Sequence, residues 1–342
     1  MTRAALALTA SAILAGPVAA QPATPLFAAD APLRLELRGP ISAIVKASRE
    51  RPVPRPAELA LAGGGERHSI RLSPRGITRL RRETCLFPPL RVQFAVPPPP
   101  ASLFSGQGRL KLVTHCQASA AFQQHVLLEY AAYRLYNVVT PASFRARLGT
   151  IDYVDEDGRT YVTRVGFFLE DRDDVGRRIG QRRATTGDAV AITAVDPAAA
   201  ARFALFQYMI GNLDWSMRAG PRGEGCCHNS RLFGAGPGRL VPIPYDFDYS
   251  GLVDAPYAVP PDGSAVSVRR RAYQGYCRHN AEALAAAAQF RALRPALLAE
   301  FATVPGLDDR SRRKAVAYIE EFFGEIANDG LIAKKVLARC RK

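Results

Sequence analysis

The sequence lacks an apolar run long enough to cross a bilayer, which takes about 20 residues. Its first apolar stretch runs only from Ala4 to about Gly16, after Arg3 and before the small residues at 18–20. The Ala-rich stretch at 281–301 is interrupted by arginines and a proline, which indicates a core helix. We therefore expect no membrane span, and we interpret residues 1–20 as a signal peptide that is cleaved during export, so that the mature chain is periplasmic or secreted.

Lysine is scarce, at six residues, whereas arginine accounts for 40 of the 46 basic side chains. The formal net charge of +15 would suit a polyanionic partner. The basic residues, however, are spread along the chain instead of clustering in one segment, and an excess of Arg and Ala is what a GC-rich genome encodes in any protein. We therefore do not expect nucleic acid to be the main partner.

Several catalytic signatures are also absent. No Gly-x-Ser-x-Gly elbow is present, and none of the glycine-rich segments opens a helix directly after a strand. These absences argue against a serine hydrolase and against a dinucleotide-binding fold. The five histidines are scattered along the chain, and we interpret His228 as a structural residue.

The six cysteines contain no Cys-x2-Cys pair: Cys85, Cys116, Cys226, Cys227, Cys277 and Cys340. An even number in an exported chain favours disulfides, with fifteen possible pairings. Among them we favour Cys85 with Cys116, and Cys277 with either Cys226 or Cys227. The alternative is a zinc site formed by residues 226–228 together with Cys277 and His279, although two adjacent cysteines cannot easily face one metal.

The hydrophobic pattern changes from strand-like to helical along the chain. Short alternating runs at 33–37, 68–72, 90–94 and 109–113 predict antiparallel strands, and a broad apolar face predicts a helix at about 119–137. Two more strands are expected at 151–154 and 161–169. After them, Asp196 and Pro197 are an N-cap and a first helical residue for a helix that ends before Gly211.

A short hairpin at 230–233 and 240–245 and two or three C-terminal helices complete this pattern. The order of the elements predicts an α+β fold with two lobes. The first, at 21–172, would be a β-rich lobe with an antiparallel sheet and one helix. The second, at 173–342, would be a mainly helical lobe.

Three polar residues stand at the ends of the predicted elements in the second half of the chain. Asp214 follows the helix that ends near 210, Asn229 precedes one strand of the hairpin, and Asp246 follows the other. Phosphoryl transfer needs a carboxylate near the acceptor hydroxyl, and oxygen ligands that hold Mg²⁺ against phosphates. On local chemistry alone, Asp248 is a further candidate ligand.

These residues resemble the CotH kinase-like family and, more distantly, the HipA-type kinases. The likeness rests on the Gly-Asn-x-Asp sequence that ends at Asp214, on Asn229, and on Tyr245 with Asp246. Segments 75–79, 88–94, 109–112, 126–137 and 167–170 are similar to further segments of that family, in the same order. The resemblance covers roughly residues 33–254 and implies a protein-kinase-like fold that uses ATP and Mg²⁺ (or Mn²⁺) to phosphorylate a protein hydroxyl.

Carried over residue by residue, the resemblance implies one role for each matching position. Asp214 would be the catalytic carboxylate, Asn229 and Asp246 the metal ligands, and Lys111 the cation on the nucleotide phosphates. Glu129 would pair with Lys111, and Glu170 would lie near the adenine. Lys111 has independent support, because it is the only lysine between Lys46 and Lys314.

Each position also has a plainer interpretation. Lys111 and Glu129 could be solvated surface side chains, Asp214 and Asn229 could be turn residues, and Asp246 and Asp248 could hold a structural cation. Fourteen residues separate Asp214 from Asn229, against about four in kinase catalytic loops, and Ile77 replaces an asparagine of the family pattern.

Two functions therefore stay open. The first is an exported kinase that depends on Mg²⁺ and ATP, and the alternative is a non-catalytic, pseudokinase-like binding module in the cell envelope. The scarcity of ATP outside the cytoplasm counts against the first. The joint presence of Lys111, Asp214, Asn229 and Asp246 counts against the second, because a binding surface needs no set of metal ligands.

Overall fold

The computed structural model describes residues 19–47, 52–260 and 267–342. Almost the whole expected signal peptide, residues 1–18, lies outside this range. In the described ranges, no helix has the length and apolarity that a membrane crossing requires.

The first half of the chain forms a closed barrel, with seven strands among the described residues, in the order β1-β2-β3-β4-β5-β7-β6. Neighbouring strands are antiparallel except for β1 and β6, which pair in parallel with Leu35 opposite Ile151. Alternate side chains fill the barrel interior, as the two-residue period of a strand requires. The strands are β1 (Leu33–Arg38), β2 (Arg55–Leu61), β3 (Arg67–Pro74), β4 (Leu90–Phe94), β5 (Arg109–Val113), β6 (Ala146–Val154) and β7 (Thr160–Leu169).

Helices and one two-stranded sheet make up the rest of the fold. The α-helices in the described ranges are α1 (Ile41–Lys46), α2 (Gln123–Val139), α3 (Arg172–Arg178), α4 (Pro197–Ile210), α5 (Asn280–Thr303), α6 (Asp309–Glu325) and α7 (Asp329–Lys335). The small sheet pairs β8 (Ser230–Phe233) with β9 (Val241–Pro244) in antiparallel. Buried residues of α2, β7, α4, α5 and α6 belong to one continuous core.

The predicted bilobal, protein-kinase-like fold is wrong. The β-rich half is a closed mixed barrel instead of an open antiparallel sheet, because β1 returns to pair with β6. The second half is not a separate helical lobe, because α4 and α5 share a core with α2 and β7. Neither feature can be inferred from hydrophobic period, which specifies the elements but not their partners.

Most predicted elements are present nonetheless. Asp196 caps α4 by accepting a hydrogen bond from the Ala199 backbone N–H at 2.7 Å, and the helix ends at Gly211, whose φ is 65°. The hydrophobic pattern did not predict α1, β2 and α3. Prolines at 52, 54 and 56 hid β2, since proline is uncommon within strands.

Three disulfides connect the six cysteines. Cys85–Cys116 is confirmed. The predicted link from Cys277 to residue 226 or 227 is wrong, because Cys277 pairs with Cys340 and Cys226 pairs with Cys227. The Cys277 backbone N–H also donates a hydrogen bond to the Arg341 carbonyl, which holds the C-terminal end beside Cys277. With no free cysteine left, the alternative of a zinc site through cysteine thiolates is excluded.

No disulfide therefore ties the segment between Asp214 and Asn229 to the loop at 273–280, although the Arg218 guanidinium lies over the Tyr276 ring, 5.7 Å from its centroid. The tip of the segment is held by Asp188, whose carboxylate accepts hydrogen bonds from the backbone N–H groups of Gly223 and Gly225 at 2.7 and 3.0 Å.

Candidate functional site

A cleft of about 820 Å³ lies where the loop after β3, strand β5 and the loops around β8 and β9 meet. Its lining contains five of the seven predicted site residues: Lys111, Asp214, Asn229, Asp246 and Asp248. These residues are up to 137 positions apart in the sequence (248 − 111), so the fold brings them together.

Asp214 is held by Asn212, two residues before it, and by Asn229, at the far end of the segment that follows it. Its backbone N–H donates to Asn212 Oδ1 at 3.0 Å, which orients the loop that leaves α4. Asn229 Nδ2 donates to Asp214 Oδ2 at 2.9 Å and to the Asp214 backbone carbonyl at 2.8 Å. The Asp214 side chain stays 34% exposed, so it is ordered and still faces the cleft.

His228 is a site residue that the sequence analysis interpreted as structural. Its Nε2 lies 2.7 Å from Asp214 Oδ1, and its side chain lines the cleft. The hydrogen bond to Asp214 raises the pKa of His228, although burial opposes the shift. The position of His228 directly before Asn229 was the one available signal.

Three carboxylates form a cluster of which two, Asp246 and Asp248, line the cleft, while Glu129 lies beside them outside the lining. Oxygen atoms of Glu129, Asp246 and Asp248 lie within 4.8 Å of one another. Glu129 comes from α2 and is 2% exposed, so it is not the solvated helix residue of the plainer interpretation. Asp246 has a φ of 66°, and its backbone N–H donates to the Tyr133 hydroxyl at 2.9 Å. Aspartate is one of the few non-glycine residues that tolerate this left-handed conformation.

Arg79 supplies the positive charge beside this cluster. Its Nη1 lies 3.5 Å from a carboxylate oxygen of Glu129 and 3.5 Å from one of Asp248, and its Nη2 donates to the Thr114 carbonyl at 3.0 Å. Among the described residues, the ion-pair partner of Glu129 is thus Arg79, whereas the resemblance implied Lys111.

The cluster holds more negative charge than Arg79 neutralises. Burial, followed by the charge of Asp246, raises the pKa of Asp248 to about 6, against the opposing effect of Arg79. Burial and Asp248 likewise raise the pKa of Glu129 well above its ordinary value. The buried Glu129 Oε1 has no hydrogen-bond partner within the described part of the chain. An oxygen donor set with an unpaired buried oxygen fits a hard divalent cation such as Mg²⁺.

Cations also line the cleft. Lys111 Nζ and the Arg231 guanidinium lie over the Tyr245 ring, 5.0 and 4.7 Å from its centroid. Burial, followed by the charge of Arg75, lowers the pKa of Lys111 to about 8. Among the described residues, no carboxylate lies within 4.0 Å of Arg75, Lys111 or Arg231. Unpaired, mutually repelling cations in a cleft are suited to an anion.

Glu170 lies outside the cleft lining, although the resemblance implied a place near the adenine. Its carboxylate pairs with Arg178 at 2.8 Å and accepts a hydrogen bond from the Arg145 backbone N–H at 2.9 Å. These contacts tie the end of β7 to α3 and to the segment before β6, which is a structural role.

Comparison with protein-family models finds no match to this sequence, and comparison with curated proteins finds none either. The geometry of the cleft is therefore the main basis for a functional hypothesis.

Proposed function

We propose that the cleft binds a nucleoside triphosphate such as ATP with Mg²⁺ or Mn²⁺, and transfers its terminal phosphoryl group to a protein hydroxyl. The observation that carries this proposal is the shared cleft of Lys111, Asp214, Asn229, Asp246 and Asp248. A volume of about 820 Å³ is within the range of small-molecule sites, which are about 300–1,000 Å³.

Lys111, Arg75 and Arg231 would bind the phosphate oxygens. They line the cleft with no carboxylate within 4.0 Å among the described residues, so an anion would relieve their mutual repulsion. The stacking of Lys111 and Arg231 on Tyr245 holds both groups in place before the ligand arrives.

Asp246, Asp248 and Glu129 would hold the divalent cation, which neutralises charge on the phosphates when it is bound. Asn229 would act differently from its predicted role as a metal ligand. Its amide nitrogen is committed to Asp214, so its first task is to orient that carboxylate.

Asp214 would accept the proton of the acceptor hydroxyl. The hydroxyl oxygen forms a new bond to the terminal phosphorus, the bond from that phosphorus to the bridging oxygen breaks, and a nucleoside diphosphate leaves with the electron pair. The proton on Asp214 then passes to solvent, which reaches the partly exposed side chain. His228, at 2.7 Å, keeps the carboxylate oriented during this exchange.

Export remains part of this proposal. Three disulfides among six cysteines are typical of oxidising compartments and support a periplasmic or secreted protein.

The alternative is a non-catalytic binding module, which one observation favours. Arg79 already lies between Glu129 and Asp248, where it offsets the charge that would attract a metal. In that case the cleft would bind an anion through Lys111, Arg75 and Arg231 without transferring a group.

A thermal-shift experiment tests the proposal. The oxidised mature protein is heated with ATP, with and without Mg²⁺ or Mn²⁺, alongside Asp246→Ala and the control Asp157→Ala, which removes an exposed aspartate from the β6–β7 turn. A ligand at a hundredfold excess over its Kd stabilises the folded state by about 2.7 kcal/mol, which raises the melting temperature by a few degrees.

We expect a metal-dependent rise that Asp246→Ala loses and Asp157→Ala keeps. A rise with ATP alone, unchanged by metal and by Asp246→Ala, would support the binding module instead. Absence of any rise in well-folded protein would contradict nucleotide binding altogether.

A further inference from the structure

Arginines without acidic partners continue from the cleft onto the neighbouring surface. Arg231 lines the cleft, Arg172 begins α3, and Arg183 lies on the segment beside β8. In the described part of the chain, none of the three has a carboxylate within 4.0 Å, although many other arginines do.

Backbone pairing places Arg183 and Arg231 on the same side of β8. Arg183 forms an antiparallel bridge opposite Phe233, and Ala184 N–H donates to the Leu232 carbonyl at 2.9 Å. Residues directly opposite each other share a face, and so do residues two apart on a strand. Helix α3 packs on this face too, because a Cβ at Gly176 would be 3.4 Å from the Phe233 ring.

The three guanidinium groups repel one another in the free protein. Burial, followed by the charges of Arg183 and Arg231, lowers the pKa of Arg172, with partial compensation from Asp173 and Asp171. Asp171 is also engaged as the N-cap of α3, where it accepts from the Asp173 N–H. Arg231 is fixed by its bonds to the Cys227 and Ser230 carbonyls at 3.0 and 2.8 Å.

We propose that Arg172 and Arg183, on the surface next to Arg231 of the cleft, form a docking surface for an acidic peptide segment, whose hydroxyl residue enters the cleft toward Asp214. This inference rests on the proposed function and names the class of its acceptor. Arginine is the side chain best suited to carboxylates, because its planar group can bind both oxygens at once.

A peptide fits this surface better than a nucleic acid. Single-stranded nucleic acids bind through aromatic platforms in addition to cations. Tyr245 and Tyr249 line the cleft, but Lys111 and Arg231 already lie over the Tyr245 ring. Among the described residues, the one aromatic side chain with large exposure is Tyr161 on β7, and it does not line the cleft.

Fluorescence anisotropy tests the surface directly. The probe is a labelled peptide with one serine flanked by glutamates, and the comparison peptide has glutamine at every glutamate. The test variant is Arg172→Gln with Arg183→Gln. The control is Arg313→Gln with Arg339→Gln, which removes the same charge from exposed positions on α6 and after α7.

We expect the acidic peptide to bind and the glutamine peptide to bind at least about tenfold more weakly. The test variant should lose about tenfold in affinity, while the control changes by less than about twofold. The single variant Arg183→Gln, at an exposed position, should show part of this loss and guards against misfolding of the double variant.

Equal losses in the test and control variants would overturn the proposal, because they would indicate a net-charge effect. Tighter binding of a single-stranded oligonucleotide than of the acidic peptide would also overturn it. A thermal shift with ATP and Mg²⁺ on the same proteins separates the two proposals. If the test variant loses peptide binding but keeps the ATP shift, the docking surface is supported separately from the ATP site. If the parent protein binds the peptide but shows no ATP shift, phosphoryl transfer is contradicted and the docking surface is not.

Discussion

At the scale of single residues, burial changes the chemistry of Lys111. In the sequence it is a strand lysine, and in the fold it lies in the cleft wall beside Tyr245. Burial and the charges of Arg75 and Arg231 lower its pKa to about 8, while Asp246 and Asp171 oppose the shift. The charged form that would bind phosphate is therefore lost at a mildly alkaline pH.

We expect ATP affinity to fall by about threefold or more between about pH 7 and pH 9, because Lys111 deprotonates over that range. The charge of ATP is nearly constant there, since the second pKa of a phosphate group is about 6. Lys111→Arg should abolish the fall, because a guanidinium stays charged, and Lys111→Met should bind weakly at every pH. Calorimetric titration at several pH values measures this, and an unchanged fall in Lys111→Arg would assign the titration to another group.

At the scale of elements, the end of α4 decides where Asp214 lies. Gly211 adopts a φ of 65°, and its N–H donates to the Tyr208 carbonyl. A Cβ at this position would clash with the Tyr318 hydroxyl of α6 and would lie 3.5 Å from the Gly251 N. Glycine is required here both by the left-handed backbone and by the close approach of α6.

Gly211→Ala should destabilise the protein by more than the roughly 1–2 kcal/mol that the left-handed conformation costs an alanine. Gly238→Ala is the matched control, since its φ is 67° and the nearest atom to a Cβ, the Thr193 carbonyl oxygen, is 3.8 Å away. Urea denaturation of both variants isolates the clash with Tyr318. Equal free energies of unfolding would show that α6 yields without cost.

At the scale of the whole molecule, long-range contacts close the fold. Strand β1 pairs with β6 more than 100 residues later, as Leu35 opposite Ile151 shows. Cys277 and Cys340 are 63 residues apart and attach the C-terminal end, while Cys226 and Cys227 are adjacent and close no loop of chain. The two disulfides therefore differ in how far they restrict the unfolded chain.

Replacing Cys277 and Cys340 by serine should lower the free energy of unfolding by about 4 kcal/mol, the value that loop entropy gives for a loop of this length. Replacing Cys226 and Cys227 should cost much less, because the unfolded chain gains almost no freedom. Denaturant unfolding of the two double variants and the parent measures both. Similar losses in the two variants would mean that local packing around Cys227 outweighs loop entropy.

Local signals in the sequence predicted most of the elements and most of the residues that line the cleft. Asp196, Pro197 and Gly211 predicted the bounds of α4, because caps and turns depend on adjacent residues. The order of Lys111, Asp214, Asn229 and Asp246 predicted a shared site, and these residues do line one cleft. Glu170 shows the limit of such inference, since its partner Arg178 was not visible in any motif.

Only the tertiary structure decided the partners. The hydrophobic period predicted antiparallel hairpins. The parallel pairing of β1 with β6 joins these strands into a closed barrel. Cys277 forms a disulfide with Cys340, and Glu129 pairs with Arg79. Both pairings depend on which distant segments pack together. Hydrophobic period and helix capping depend on residues that are close together in the sequence. Positions 50 to more than 100 residues apart decide how the barrel closes, which cysteines pair and which cation neutralises a buried carboxylate.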